Sequence, residues 1–297
     1  MVDAESSSSP GLLREMRLWD VVLFNIAAVL GPRWVASAAH SGPSSISIWL
    51  LAAVTFFLPS GLVIVELSTR YPHSGGLYVW TREAFGPFHG FVAGWAYWIY
   101  TIVYFPALLN ASVAMAAWLG GERWAWLAHS RLYITGASLI MLAVAIGFNI
   151  VGVRIGKWLE NAGGVGTYLP LVLLVGFGAW FASRLGSATH LTLHAMAFHF
   201  DWGTVNYWSQ IAFAFSGLEL VCAMSEEIHD PQRTFPRSML ISGLAIVGIY
   251  VLGTMATLGV LQPEKVDIRT GAIQALTYSA THLGLAWIGR ASCRERV

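Results

Sequence analysis

The sequence predicts an all-α integral membrane protein, and both its composition and its apolar runs support that class. Of the 297 residues, 56% are hydrophobic and only 11% are charged, whereas soluble domains carry about a quarter charged residues. The mean hydropathy is +0.60. Because lipid offers no partner to backbone N–H and C=O groups, helices are the expected form of each membrane-crossing run.

The apolar runs predict seven or eight spanning helices. The predicted helices are 18–40, 46–67, 87–119, 131–152, 164–184, 205–226 and 237–261, with a weaker run at 271–289. A span needs about 20 apolar residues, so a chain of this length has room for that number. We expect a cytoplasmic tail at 1–17, a transmembrane domain at 18–289 and an atypical tail at 290–297.

The charges of the predicted loops favour a cytoplasmic N-terminus in a cell membrane. With that orientation, the inside segments carry eight basic residues, namely Arg14, Arg17, Arg70, Arg82, Arg154, Lys157, Arg233 and Arg237. The outside loops then carry five, namely Arg123, Arg131, Arg184, Lys265 and Arg269. Short cytoplasmic loops are the ones enriched in lysine and arginine, so the bias supports this topology.

Two of the predicted spans are interrupted near their middles. The first contains Gly31-Pro32, followed by Arg33. Proline removes a backbone donor and disfavours a helical conformation in the residue before it, so this pair predicts a break. The sixth span contains Gly217 and Glu219 at a comparable depth. Charged side chains inside a bilayer are costly and usually face a cavity or a partner.

The interrupted spans are five helices apart, as an inverted five-helix repeat requires. In such transporters the half-helix ends present backbone N–H and C=O groups to the substrate. The simpler alternative is a proline kink in one span and a structural glycine in the other. Two breaks that each carry a charge favour a binding site over that alternative. No phosphate-binding loop of the Walker type is present in the sequence, which argues against transport driven by ATP.

Two segments of the sequence resemble the amino-acid/polyamine/organocation permeases. The stretch 66–80, ELSTRYPHSGGLYVW, is similar to the segment that follows the second helix of that family. A second match resembles the family's sixth helix and the loop after it, through Phe215 to Glu219, Glu226-Glu227, Asp230-Pro231, Arg233 and Pro236-Arg237. The hydropathy pattern agrees with the family from about residue 14 to residue 285.

The resemblance implies a twelve-helix carrier with a five-plus-five inverted repeat, discontinuous helices 1 and 6, and alternating access. The substrate-binding residues that it implies are Leu30, Gly31 and Pro32 in helix 1, and Phe215, Ser216 and Gly217 in helix 6. Glu219 matches a position linked to gating or proton coupling. Arg33 could bind a substrate carboxylate or pair with Glu219.

The sequence departs from that family in three places. The helix 1 break contains Arg33 and Trp34, where many members have a Gly-Ser-Gly type of break. Residues 161–183 contain no basic residue, although some proton-coupled members carry a lysine there. Residues 290–297 do not resemble the family's continuation, so we expect a truncated reading frame with a foreign tail and an incomplete second repeat.

We therefore expect secondary active transport of amino acids or related amines, with the lipid bilayer and protons or a counter-substrate as further partners. The alternative is a transport-inactive sensor or receptor that keeps a permease-like fold. The net charge of +1 gives no reason to expect a nucleic-acid partner. We expect no enzymatic activity and no cofactor, because no nucleophile with a base is recognisable. His190, His194 and His199 could bind a metal, but an ordinary polar loop is the preferred interpretation.

Overall fold

The computed structural model describes residues 16–71, 75–117, 122–151, 153–198 and 201–283, and it is built from helices. The α-helices are α1 (Leu18–Val29), α2 (Pro32–His40), α3 (Ser45–Ala52), α4 (Leu58–Arg70), α5 (Leu77–Phe85), α6 (Pro87–Ala117), α7 (Arg131–Val151), α8 (Val153–Leu185), α9 (Trp202–Ala214), α10 (Pro231–Val260) and α11 (Gly271–His282). A π turn, Ala53–Phe57, joins α3 to α4, and 3₁₀ helices cover Glu122–His129, Leu218–Glu227 and Pro263–Lys265.

Within the described ranges, five helical segments are long and apolar enough to cross a membrane. They are Ser45–Arg70, Pro87–Ala117, Arg131–Phe148, Val165–Leu185 and Pro231–Val260. The pair α1 and α2 makes a sixth if it is counted as one span bent by 42°. The all-α membrane class is therefore confirmed. The predicted spans that contain α9 and α11 do not meet the same criterion, since α9 stops at a break and α11 has only 12 residues.

Helix α8 begins earlier than the sequence predicts. The apolar run predicts 164–184, whereas α8 covers Val153–Leu185. Hydropathy marks only the apolar part of a helix, and the sequence at the start of α8 contains Arg154, Lys157 and Glu160. The helix continues into the more polar sequence before it, so this stretch is not a loop.

Helix α10 lies at the centre of the bundle, where it packs against α1, α2, α3, α4, α8 and α11. Several of its buried serine and threonine hydroxyls are satisfied within the helix itself. Ser242 donates to the carbonyl of Ser238 at 2.7 Å, and Thr254 donates to that of Tyr250 at 2.7 Å. Small side chains with internally bonded hydroxyls let neighbouring helices approach closely without leaving a polar group unsatisfied. At the periphery, the apolar window of α7 has no buried residue.

The first described residue is tied to the segment that follows the second 3₁₀ helix. Met16 donates its N–H to the carbonyl of Glu227 at 3.0 Å, and His229 donates to the carbonyl of Met16 at 2.9 Å. This parallel bridge joins the two interrupted spans at one end of the bundle. Most of the predicted N-terminal tail and all of the predicted atypical tail fall in 1–15 and 284–297, outside the described residues.

Candidate functional site

The first span is interrupted between α1 and α2. Leu30 and Gly31 are extended, with ψ angles of 117° and 119°. Pro32 occupies the first position of α2, where its missing N–H costs no helical bond and its fixed φ suits the helix. The N–H of Leu30 donates to the carbonyl of Ile26 at 2.8 Å, which closes the end of α1. The chain is thus broken where the Gly31-Pro32 pair predicts.

The sixth span is interrupted by a three-residue turn after α9. Phe215 and Ser216 close the last turn, with their N–H groups bonded to carbonyls three residues earlier. Gly217 follows with a φ of +123°, which residues with a side chain rarely adopt. Its N–H donates to Oε2 of Glu219 at 3.0 Å, so this carboxylate reaches back from the first turn of the next 3₁₀ helix to the residue before that helix.

The two breaks touch each other at Gly217. A Cβ atom built on this glycine would lie 2.9 Å from the carbonyl oxygen of Ala28, near the end of α1. Real Cβ contacts are essentially never that close to backbone, so only glycine fits. The interrupted segments of the two spans therefore lie in direct backbone contact.

The hydroxyl of Tyr250, on α10, connects both breaks. It lies 2.7 Å from the carbonyl of Val29 and 3.1 Å from that of Ala214, and it accepts the N–H of Gly31 at 3.2 Å. The single hydroxyl proton can point to one carbonyl at a time, and Val29 is nearer. Tyr250 is not among the residues predicted from sequence. The sequence feature that could have identified it is a tyrosine well inside an apolar span, because the hydroxyl of such a residue needs a hydrogen-bond partner there.

The ring of Phe215 is part of a buried aromatic cluster. It stacks on Phe57 with ring centroids 4.6 Å apart, and it meets Trp49 and Tyr250 edge to face at 5.2 and 5.4 Å. Trp49 is itself stacked on Tyr250 at 4.2 Å. With 2% of its surface exposed, the Phe215 ring is packed against protein, and its backbone is the part that faces the break.

The two charged residues at the breaks are not paired with each other among the described residues. The guanidinium of Arg33 lies over the ring of Trp34 at 4.5 Å and that of Tyr104 at 5.5 Å. Glu219 instead accepts the N–H of Gly217. Cation–π contacts hold a guanidinium in place without neutralising its charge. Arg33 therefore keeps its charge available for another anion.

Backbone groups at both breaks are left without partners in the described part of the chain. The N–H of Trp34 donates to the carbonyl of Gly31 at 2.9 Å, but that of Arg33 donates to nothing described. The carbonyls of Phe215 and Ser216 likewise accept no described hydrogen bond. Such unsatisfied groups at helix ends can bind a carboxylate on one segment and an ammonium on the other.

A cavity of about 420 Å³ opens beside the first break. Its walls come from α2, α6, the start of α7 and the loop between α10 and α11. The described residues that line it are Arg33, Trp34, Ser37, Ala107, Asn110, Ala111, Ala114, Ile134, Ile268 and Arg269. The volume falls in the range of small-molecule sites.

The predicted site residues thus divide into two groups. The break segments that contain Leu30, Gly31, Phe215 and Gly217 are brought together by the Ala28 contact and the Tyr250 hydroxyl. Arg33 and Glu219 flank them separately. As for metal ligands, the described residues contain no cluster of three or more His, Cys, Asp or Glu, and His199 lies outside the described residues.

Comparison with known proteins identifies a family match along most of the chain. The sequence profile described as "Amino acid permease" matches residues 16–288. An uncharacterized transporter of Legionella pneumophila is 30% identical over 92% of this chain. The probable agmatine/putrescine antiporter of Lactococcus lactis and the serine/threonine exchanger of Bacillus subtilis are each 27% identical, over 87% and 86% of this chain.

The chain spans little more than half the length of these relatives. It covers 59% of the Legionella protein, 54% of the Lactococcus protein and 57% of the Bacillus protein. The matched part contains both interrupted spans. The family and the names of the relatives point to transporters and not to enzymes.

Proposed function

The chain belongs to the amino acid permease family, and on that premise we propose that it is part of a secondary active carrier for an amino acid or a related amine. The observation that carries this proposal is the contact between two interrupted spans. One break offers a free N–H at Arg33, and the other offers free carbonyls at Phe215 and Ser216, among the described residues. These groups complement the carboxylate and the ammonium of a zwitterion.

In this proposal the substrate-binding set is Leu30, Gly31, Pro32, Arg33, Phe215, Ser216 and Gly217. Backbone groups supply most of the recognition, because the ring of Phe215 is packed in the core. Glu219 acts as a protonatable gate: protonation would weaken its hold on the N–H of Gly217 and release the turn. Arg33 serves as the anion partner beside the break.

The proposed mechanism is alternating access within a five-plus-five inverted repeat. The broken spans would rock as a bundle against the remaining helices, with the substrate held between them. The transmembrane domain would cover 18–289 and the N-terminus would face the cytoplasm of a cell membrane, as the loop charges favour.

The proposal is tested by uptake into proteoliposomes. The assay compares radiolabelled acidic, neutral and basic amino acids and amines, with and without a pH gradient. The assay is run on this chain and on the protein expressed from the parent gene after that gene has been resequenced across the codons for residues 285–297. Saturable uptake or exchange of one of these compounds is the expected result. A correctly folded protein that binds an amino acid without moving it would support the sensor or receptor alternative, and one that does neither would overturn both.

A further inference from the structure

Two arginines face the cavity beside the first break. Arg33 reaches it from the first turn of α2, and Arg269 reaches it from the loop between α10 and α11. They are far apart in sequence, so it is the fold that brings two arginines to one cavity. Like charges at a cavity of about 420 Å³ disfavour each other, and an anion bound there would offset that repulsion.

Neither guanidinium is neutralised by a described carboxylate. Arg33 lies over the rings of Trp34 and Tyr104. Asp267 is close in sequence to Arg269, but their side chains form no ion pair within the described part of the chain; Oδ1 of Asp267 accepts from the N–H of Arg269 and from the N–H and hydroxyl of Thr270 at 2.8–2.9 Å. No acidic residue is among the described residues that line the cavity. The described lining of the cavity therefore carries two positive charges and no negative one, while Glu264 and Asp267 lie with Arg269 around the neighbouring depression.

The other polar groups in the wall add donors. Oδ1 of Asn110 accepts the hydroxyl proton of Ser138 at 3.0 Å, which leaves the amide NH₂ of Asn110 to donate. The hydroxyl of Ser37 makes no hydrogen bond to the described residues, so it can donate as well. The rest of the wall is apolar, from Trp34 to Ile268. A cavity that combines hydrogen-bond donors and cationic side chains with apolar side chains suits a carboxylate carried on a short aliphatic chain.

We propose that this cavity binds the side-chain carboxylate of an acidic amino acid, so that the substrate class of the carrier is anionic. This inference rests on the proposed function, since the α-amino and α-carboxylate groups would occupy the adjacent breaks. The same two arginines would exclude cationic amines, because a like charge in a partly enclosed space is repelled. Substrate selection would thus come from the charge of the cavity wall, and the backbone at the breaks would recognise what all amino acids share.

The test compares pairs of ligands that differ in charge and hardly in shape. Competition against bound radiolabelled L-glutamate is measured in detergent for glutamate, glutamine, aspartate, asparagine and putrescine. We expect each acidic amino acid to bind at least about tenfold more tightly than its amide, as charge-assisted bidentate bonds to arginine allow. Putrescine should not compete. If glutamate does not bind, the same panel is run with each ligand labelled in turn.

Matched variants assign the effect to the cavity. Arg33→Gln and Arg269→Gln should each remove most of the preference for glutamate over glutamine. Arg131→Gln, an exposed arginine at the start of α7 that does not line the cavity, should keep it. Size-exclusion profiles verify the folding of each variant, and the comparison of glutamate with glutamine on the unmodified protein needs no variant at all.

The possible results separate this inference from the proposed function. Tighter binding of glutamine or putrescine than of glutamate would overturn the anionic class and leave amino-acid or amine transport standing. A preference for glutamate that survives in both arginine variants would overturn the assignment of this cavity. Binding of no amino acid or amine would overturn the proposed function together with the inference.

Discussion

At the scale of single residues, the hydroxyl of Tyr250 and the missing side chain of Gly217 hold the two breaks together. Tyr250 bonds backbone groups on both interrupted spans. Gly217 lets the backbone of Ala28 approach to a distance that no other residue allows. Because both contacts involve backbone at the proposed site, changes at either residue should act on the site directly.

Replacing Tyr250 with phenylalanine removes only the hydroxyl. The N–H of Gly31 and the carbonyl of Val29 then lose their partner in a buried place, which costs about 1–3 kcal/mol. We expect a lower apparent Tm in detergent and weaker substrate binding. Tyr168→Phe is the matched control, because Tyr168 packs against the core and its hydroxyl bonds no described group. Equal Tm values for the two variants would contradict this role.

Replacing Gly217 with alanine adds a methyl group at a φ of +123° and against the carbonyl of Ala28. The backbone strain alone amounts to about 1–3 kcal/mol, so we expect a clear loss of stability and of uptake. Gly248→Ala is the control, since Gly248 lies inside α10 with no atom within 4 Å of a built Cβ. That change should be neutral or stabilising by up to about 1 kcal/mol. A tolerated alanine at 217 would show that the breaks separate in solution.

Replacing Glu219 with glutamine removes the carboxylate that binds and releases a proton in the proposed gate. The side chain keeps an oxygen that can accept the N–H of Gly217, so substrate binding should be partly retained while the pH dependence of uptake is lost. Initial uptake rates measured across a pH series provide the readout. Glu264→Gln, at an exposed position between α10 and α11, should keep the pH profile of the unmodified protein. An unchanged profile in Glu219→Gln would refute the gate.

At the scale of elements, local chemistry predicts where a helix breaks but not what the break touches. The Gly31-Pro32 pair and Gly217 interrupt a helix through the backbone preferences of a few neighbouring residues. Both interruptions could therefore be predicted from sequence. The extension of α8 into polar sequence could not, because hydropathy reports membrane depth and not helix length. Two of the three Tyr250 contacts, those to Gly31 and Val29, bridge more than 200 residues, and they depend on how α10 packs against α1.

The loop between α10 and α11 yields a prediction about pH. Burial raises the pKa of the Asp267 carboxyl, but hydrogen bonds from Thr270 and the N–H of Arg269 outweigh it and hold the pKa below its ordinary 3.8. A carboxylate with a lowered pKa stabilises the fold above its unfolded pKa and loses that effect as the pH falls through the folded value. Asp267→Asn should therefore lower the apparent Tm at neutral pH. The corresponding loss in the free energy of unfolding should stay under about 1 kcal/mol, because solvent screens the carboxylate.

The pH series supplies the control for that prediction. The difference in Tm between the unmodified protein and Asp267→Asn should shrink as the pH falls below 3.8. A difference of the same size at every pH would mean that the asparagine disturbs the loop for a reason unrelated to charge.

At the scale of the whole molecule, composition and hydropathy predict the membrane class correctly, and the two matching segments, 66–80 and 215–237, predict the family correctly. The central helix α10 and the exposed helix α7 have similarly apolar sequences, and only the fold distinguishes them: 39% of the spanning window of α10 is buried, against none of that of α7. Hydropathy reports transfer into an apolar medium, and lipid and protein core are equally apolar. The sequence pattern therefore predicts which segments span, and the packing decides which of them carry the site.

The central claim is that the two breaks form one substrate site, and protection of a cysteine at Ser216 tests it most directly. Ser216→Cys is made in a background in which Cys222 and Cys293 are replaced by serine, and its rate of reaction with a polar thiol reagent is measured with and without saturating substrate. We predict strong protection by the transported amino acid and none at Ser187→Cys, a control on an exposed loop. Equal labelling of Ser216→Cys with and without substrate, in a protein that still takes the substrate up, would place the substrate elsewhere.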